Sequence, residues 1–245
     1  MSDSRHSINF VFYLYFGIAI TALLIALSLG RGPDVIWINS HHSEVLDEIF
    51  KGLTRLGEGW IFVPVIILSL FVRFAWAFMV LSVGIINGVV CSLVKQWIFA
   101  DVSRPIGVLD NSLLYFVPGV DVHAMHSFPS GHTATIFCAA ILVSLLTRMR
   151  WVTLSMAMIA IGVACSRMYL LQHFLLDVSG GVIIATAICF PAWYFFSRAK
   201  APSWMNQAFE LRRTQLDGSG PIVIKTTPPP QDVVHQGDGD GLTEQ

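Results

Sequence analysis

Three short polar clusters interrupt a chain that is otherwise apolar, and each holds residues able to grip an anion or move a proton. The stretch 166–177 places an arginine, a histidine and a carboxylate in one apolar run. His173 and Asp177 are four residues apart, so on a helix they share a face. A carboxylate beside an imidazole selects its tautomer and stabilises its cationic form. Arg167 adds a permanent planar cation suited to phosphate or carboxylate. Pro129-Ser130-Gly131-His132 reads as a helix start. Ser130 is a good N-cap, Gly131 admits close backbone approach, and free amides at a helix N-terminus bind anions. Lys95 and Arg104-Pro105 form the third cluster. Ionisable groups at membrane depth are costly and usually face a cavity or a partner, so each marks a functional site until shown otherwise.

The elements that carry these clusters are membrane spans. Of 245 residues, 54% are hydrophobic and 13% charged, against about 25% charged in soluble domains; the mean hydropathy is +0.65. A spanning helix needs ~20 apolar residues, and six candidates emerge: 8–29, 56–72, 74–94, 131–147, 151–170 and 174–196. The second is the weakest, because Glu58 and Gly59 clip its start and Pro64 interrupts it. Residues 8–29 follow Arg5 as a signal sequence would. The run exceeds the usual ~7–15-residue core and lacks a small-x-small cleavage site, so it reads as a retained span. Segment 32–55 suits an amphipathic helix lying in the interface. The fold class expected is therefore all-α: a six-span transmembrane bundle over 1–213 with an interfacial amphipathic segment. Residues 214–245 are rich in Gly, Pro, Thr and Asp and read as a disordered tail.

Alternating spans bring the end of the third, the start of the fourth and the end of the fifth to one face. All three polar clusters lie there. From Trp151 to Ser179 the chain has no Pro and a single mid-span Gly, Gly162. A continuous helix of that length would overrun the bilayer at ~1.5 Å per residue, so a turn is expected near His173, with Asp177 opening the last span. Lysine and arginine set the orientation. Arg5, Arg73, Arg148, Arg150, Arg198, Lys200, Arg212, Arg213 and Lys225 fall on one side. Arg31, Lys51, Arg55, Lys95, Arg104 and Arg167 fall on the other, and three of these belong to the polar clusters. The richer side, with both termini, is expected to be cytoplasmic.

Lys95…Arg104-Pro105, Pro129-Ser130-Gly131-His132 and Ser166-Arg167…His173…Asp177 together resemble the three-part signature of the type 2 phosphatidic acid phosphatase superfamily, which includes bacterial lipid phosphatases. The second and third parts match fully, including five residues between Arg167 and His173. The first departs: the family usually has six residues between lysine and arginine, and eight stand here. A small bulge would let Lys95 still reach the site. The resemblance implies that His173 is the nucleophile and forms a phosphohistidine, that Asp177 orients it, and that His132 protonates the leaving oxygen and then activates water. It implies that Lys95, Arg104, Ser130, Gly131 and Arg167 hold the phosphoryl oxygens. Phosphoryl transfer needs charge neutralisation and in-line positioning, which cations and two histidines supply without a metal.

The resemblance further implies a multi-pass protein of the bacterial inner membrane acting on a lipid phosphate, and the lysine and arginine balance then puts the active face on the periplasmic or extracytoplasmic side. Undecaprenyl diphosphate is the substrate expected first, with phosphatidylglycerophosphate, phosphatidate and lipid A phosphates as alternatives. Transfer of the phosphoryl group to a lipid acceptor, or lipid binding without chemistry, are competing readings. Asp121, His123, His126 and His132 raise a metal reading, but no third ligand is placed by a helix, and no cofactor is expected. His123 and His126 are expected at the entrance instead. The partners expected are the bilayer and the lipid; a net charge of -1 gives no reason to expect nucleic acid. Cys91, Cys138, Cys165 and Cys189 sit in apolar runs at no metal or redox spacing and read as small core residues.

Overall fold

The computed structural model describes residues 2–198, 202–210 and 225–227. Eight α-helices follow in order: α1 (Ser2–Leu29), α2 (Pro33–Ser40), α3 (Glu44–Arg55), α4 (Phe62–Leu70), α5 (Phe74–Leu93), α6 (Gly131–Thr147), α7 (Arg150–Tyr169) and α8 (Leu175–Arg198). A short antiparallel ribbon pairs β1 (Ala208–Glu210) with β2 (Lys225–Thr227). Residues 225–227 fall inside the stretch expected to be a disordered tail; the rest of 214–245 lies outside the described residues.

The bundle is built around α6. It is apolar on every face and buried along nearly its whole length, as an all-round hydrophobic helix must be. Helices α5, α7 and α8 pack on it, and α8 also carries α1. Small residues such as Ala134, Ala139 and Ala140 on α6 and Ala157 and Ala160 on α7 are fully enclosed, which lets backbones approach closely in a bilayer. At its start the Ser130 side chain accepts from the Thr133 amide; at its end Arg148 takes a left-handed conformation.

Among the described residues, four helices are long and apolar enough to cross a membrane: Ile8–Leu29, Phe74–Ile98, Arg150–Tyr169 and Leu175–Arg198. The expectation of six is not established by length. Helix α6 has 17 residues, about 25 Å at 1.5 Å per residue, short of a ~30 Å hydrocarbon core. The 56–72 candidate is a 3₁₀ turn (Gly59–Ile61) followed by α4, and it meets α3 at a 61° bend. Counted with α3 as one broken span, it brings the total to five.

Segment 32–55 is two helices rather than one, and it is fastened to protein as well as lying at the bundle's end. Buried Asp34 accepts from the Leu175 amide at 2.6 Å. Asn39 bridges the Tyr115 backbone and the Tyr169 carbonyl. Asp47 on α3 accepts from the hydroxyls of both Tyr115 and Tyr169. Buried polar groups need such partners, and here the partners lie on α7, on the start of α8 and on the connection 99–130. These bonds hold α3 over the end of α7 that carries Arg167.

Candidate active site

The turn after α7 uses neither Gly nor Pro. Leu171 adopts φ 58°, a conformation that costs an L-residue about 1–2 kcal/mol, and its burial holds it there. The Arg167 carbonyl accepts from the amides of both Gln172 and His173, at 2.9 and 3.1 Å. Arg167 in the last turn of α7 is thereby tied to His173 just beyond it. His173 is 1% exposed, and α8 opens two residues later.

Asp177, in the first turn of α8, organises the centre. Its Oδ2 accepts from the Ser127 hydroxyl and from the Phe174 amide. Its carbonyl accepts from the Ser130 amide at 2.9 Å, which fastens the start of α6 to α8. His173 Nδ1 lies 3.7 Å from Asp177 Oδ2, beyond hydrogen-bond range, and is buried with no partner. Burial holds the His173 pKa well below the ordinary histidine value; Asp177 opposes this, and Arg167 and Lys95 reinforce it. The ring is therefore neutral at physiological pH, as a nucleophile must be.

Gly180 and Gly181 make this junction possible. A Cβ on Gly180 would lie 2.4 Å from the Phe128 ring, and one on Gly181 would lie 2.6 Å from the Ser130 carbonyl oxygen. Any larger residue would push the loop 127–130 off α8 and carry His132 away from His173.

The cations are aimed by neutral partners. Arg104 donates through Nε to the Met125 carbonyl at 3.0 Å and through Nη1 to the Gln172 side chain. Gln172 in turn donates to the Asp121 carbonyl at 2.8 Å. Arg167 is 7% exposed; its Nη1 donates to Thr54 Oγ1 on α3 at 2.6 Å, and its Nε has no partner. Lys95 sits in a π-helical turn, Val94–Ile98, that continues α5. The small bulge expected between Lys95 and Arg104 would bring Lys95 to the other cations; here Lys95 lies within the wider turn itself. Lys95, Arg104 and Arg167 all lie close enough to His132 for their charges to act on it.

Two cavities flank His132. One, of about 440 Å³, is lined by Arg104, Arg167, His132, Thr54, His123 and Gln172, among others. The other, of about 370 Å³, is lined by Lys95, Gly131, His132, Asn87, Ser92 and Gln96, among others. Of the residues expected at the site, Arg104, Arg167 and His132 share the first cavity, with His173 and Asp177 buried at the junction behind them. Lys95 and Gly131 face the second. His123 lines the first cavity as expected of an entrance residue, while His126 lines neither. Asp121, His123, His126 and His132 do not form a metal-holding group among the described residues. The contacts of Thr54 with Arg167, of Gln172 with Arg104 and of Ser127 with Asp177 emerge only from the fold.

The chain is similar to known proteins in sequence and in fold. Over 154 residues the chain is 26% identical to an undecaprenyl-diphosphatase from Sulfolobus acidocaldarius, spanning 62% of this chain and 72% of that protein. The fold superposes on the crystal structure of Aquifex aeolicus LpxE with a TM-score of 0.58 at 22% identity, covering 65% of this chain and 92% of the other. It superposes on a PAP2-type phosphatidylglycerolphosphate phosphatase from Bacillus subtilis with a TM-score of 0.57 at 25% identity, covering 80% and 98%. Residues 58–201, more than half of the chain, match the PAP2 superfamily, and the chain belongs to that superfamily as a multi-pass PAP2-type membrane lipid phosphatase.

Proposed function

We propose that this phosphatase removes the terminal phosphate of a lipid phosphate or diphosphate at the extracytoplasmic interface, through a phosphohistidine on His173 and without a metal. Undecaprenyl diphosphate is the substrate put first. The observation that carries the reading is the convergence of Arg104, Arg167 and His132 on one cavity, with neutral, carboxylate-backed His173 behind it. With Nδ1 turned towards Asp177, Nε2 is the nitrogen left to attack phosphorus. As the N–P bond forms, the bond from phosphorus to the leaving oxygen breaks. The charge on the phosphoryl oxygens spreads towards Arg104 and Arg167. Asp177 balances the positive charge on the ring, and His132 gives the leaving oxygen its proton. His132 then takes a proton from water, which attacks the phosphohistidine; the N–P bond breaks and inorganic phosphate leaves.

The curated relative named for undecaprenyl diphosphate supports the choice of substrate, and the lysine and arginine balance of the loops supports the outward-facing site with both termini cytoplasmic. Six passes are proposed, with α6 and α4 crossing as short spans inside the bundle. The test is phosphate release by the purified full-length protein in detergent with chelator, from undecaprenyl diphosphate, phosphatidylglycerophosphate, phosphatidate and lipid A. His173→Ala serves as blank. Release that survives His173→Ala, or that stops in chelator, refutes the mechanism. Consumption of substrate without free phosphate points to transfer onto an acceptor lipid instead. A label placed at exposed Leu113 that reacts only from the cytoplasm refutes the orientation.

A further inference from the structure

The cations of the site do not all face one space. Arg104 and Arg167 line the chamber under α3 and the connection 99–130. Lys95 lines the second chamber, between residues 57–59, α5 and α6, together with Asn87, Ser92 and Gln96. His132 and Glu58 line both and stand at the partition. Gly57 is pressed against His132 there; a Cβ on it would lie 2.7 Å from that of His132. Ser92 and Gln96 reach the exposed flank of α5, along which Ile85 and Val89 are also turned outward. A lipid substrate must run its hydrocarbon out to the bilayer. The departing lipid therefore belongs on the α5 side of His132, and the transferred phosphoryl on the arginine side.

We propose that the Lys95 chamber is a subsite for the second phosphate of a lipid diphosphate, the one that leaves still attached to the hydrocarbon. The assignment rests on the phosphohistidine reading above and adds which phosphate each cation holds. In the first step His173 forms a bond to the terminal phosphorus and the bridging P–O bond breaks. The bridging oxygen departs as part of a lipid monophosphate, with its new charge beside Lys95 and its proton from His132. Water then releases the terminal phosphate from His173. A lipid monophosphate places only a carbon-bound oxygen in the Lys95 chamber, so it uses Lys95 far less. Glu58 is the carboxylate that both chambers share. It is exposed and makes no ion pair with Arg55, so it is available to a substrate hydroxyl or water at the partition.

The experiment compares a C15 polyprenyl diphosphate with the monophosphate of the same chain, using the full-length protein in detergent. Lys95→Gln is expected to lower kcat/KM for the diphosphate about 10- to 100-fold, the range for losing a charge-assisted contact, and for the monophosphate only a few-fold. Ser92→Glu, at an exposed position of the same chamber, is expected to repel the diphosphate selectively and keeps the test open if Lys95→Gln does not fold. Equal losses on both substrates, or a larger loss on the monophosphate, place Lys95 on the transferred phosphoryl group and overturn the proposal. His173→Ala separates the two levels. It abolishes both activities if the mechanism holds, and activity that survives it sinks the mechanism whatever Lys95 does. A wild-type protein that cleaves neither compound refutes both.

Discussion

Replacing Asp177 by Asn asks whether this carboxylate acts through its charge or through its hydrogen bonds. Asn keeps the size and one oxygen able to accept from Ser127 and from the Phe174 amide. The tie from the Ser130 amide runs to the main-chain carbonyl and is unaffected. What disappears is the negative charge facing the imidazole. At 3.7 Å, with an effective dielectric of ~20, two unit charges interact by about 4 kcal/mol, which is close to a thousandfold in rate. That interaction exists only once the ring has gained positive charge by bonding to phosphorus, so it appears in kcat. The expected outcome is a fall in kcat of about a hundred- to a thousandfold with KM changed only a few-fold. Steady-state and single-turnover phosphate release in detergent give the two parameters, and thermal unfolding of the same preparations reports the fold. If the Asn protein keeps more than about a third of kcat at an unchanged Tm, the carboxylate is a tether and the electrostatic argument fails.

Gly181→Ala drives a Cβ to 2.6 Å from the Ser130 carbonyl oxygen; backbone cannot swing aside, so a loss of about 1–3 kcal/mol is expected, together with lower activity. An unchanged unfolding midpoint refutes the close packing. Thr54→Val removes the acceptor of Arg167 Nη1 and should weaken substrate binding by about 1–3 kcal/mol, read as a higher KM and restored by Thr54→Ser; an unchanged KM disconnects α3 from the site. The pH profile follows from the lowered pKa of His173. The competent neutral ring persists as pH falls through the usual histidine range of about 6.5 and is lost only nearer the depressed value. No acidic limb in kcat/KM should belong to His173 near that range, and an imidazole resonance of His173 titrating there refutes the assignment.

The sequence showed the convergence of the clusters clearly, because ionisable groups in apolar runs are too costly to be incidental. The boundaries of α6 and the turn near His173 were legible for related reasons: a serine N-cap opens the one, and the bilayer's thickness forces the other. What was not legible is contact made across the fold by single groups. Thr54 meets Arg167 across 113 positions, and Asp47 collects Tyr115 and Tyr169 from two other elements. Neither contact leaves a period or a spacing in the chain. The span count was hard to read for a different reason. Helix α6 is short because it is buried in protein rather than matched to lipid, and α4 is cut off from α3 by a bend. The division of the cations between two chambers also escaped, since Lys95 and Arg104 stand close in sequence and their spacing does not say which cavity each one lines.

The partners of the two arginines carry one more consequence. Arg104 is held by a carbonyl and by the amide of Gln172, and Arg167 by the hydroxyl of Thr54. A carboxylate at either place would bind its guanidinium more strongly, yet these acceptors carry no charge. The arrangement aims the cations through neutral hydrogen-bond partners, with Glu58 as an exposed carboxylate in the same cavity, so both guanidiniums keep charge to offer an incoming phosphate. Gln172→Glu tests this directly. Glu keeps the length and an acceptor oxygen, and adds a charge next to Arg104. The new ion pair gains attraction to Arg104 but loses the bond that Gln172 donates to the Asp121 carbonyl, so Tm should change little. The same charge should repel the phosphoryl oxygens and raise KM by about tenfold or more, the order expected for one lost charge-assisted contact. A protein of unchanged stability with a weaker grip on substrate would be the signature of a site that keeps its charge in reserve. A Glu protein with unchanged KM would show that Arg104 does not hold the phosphate.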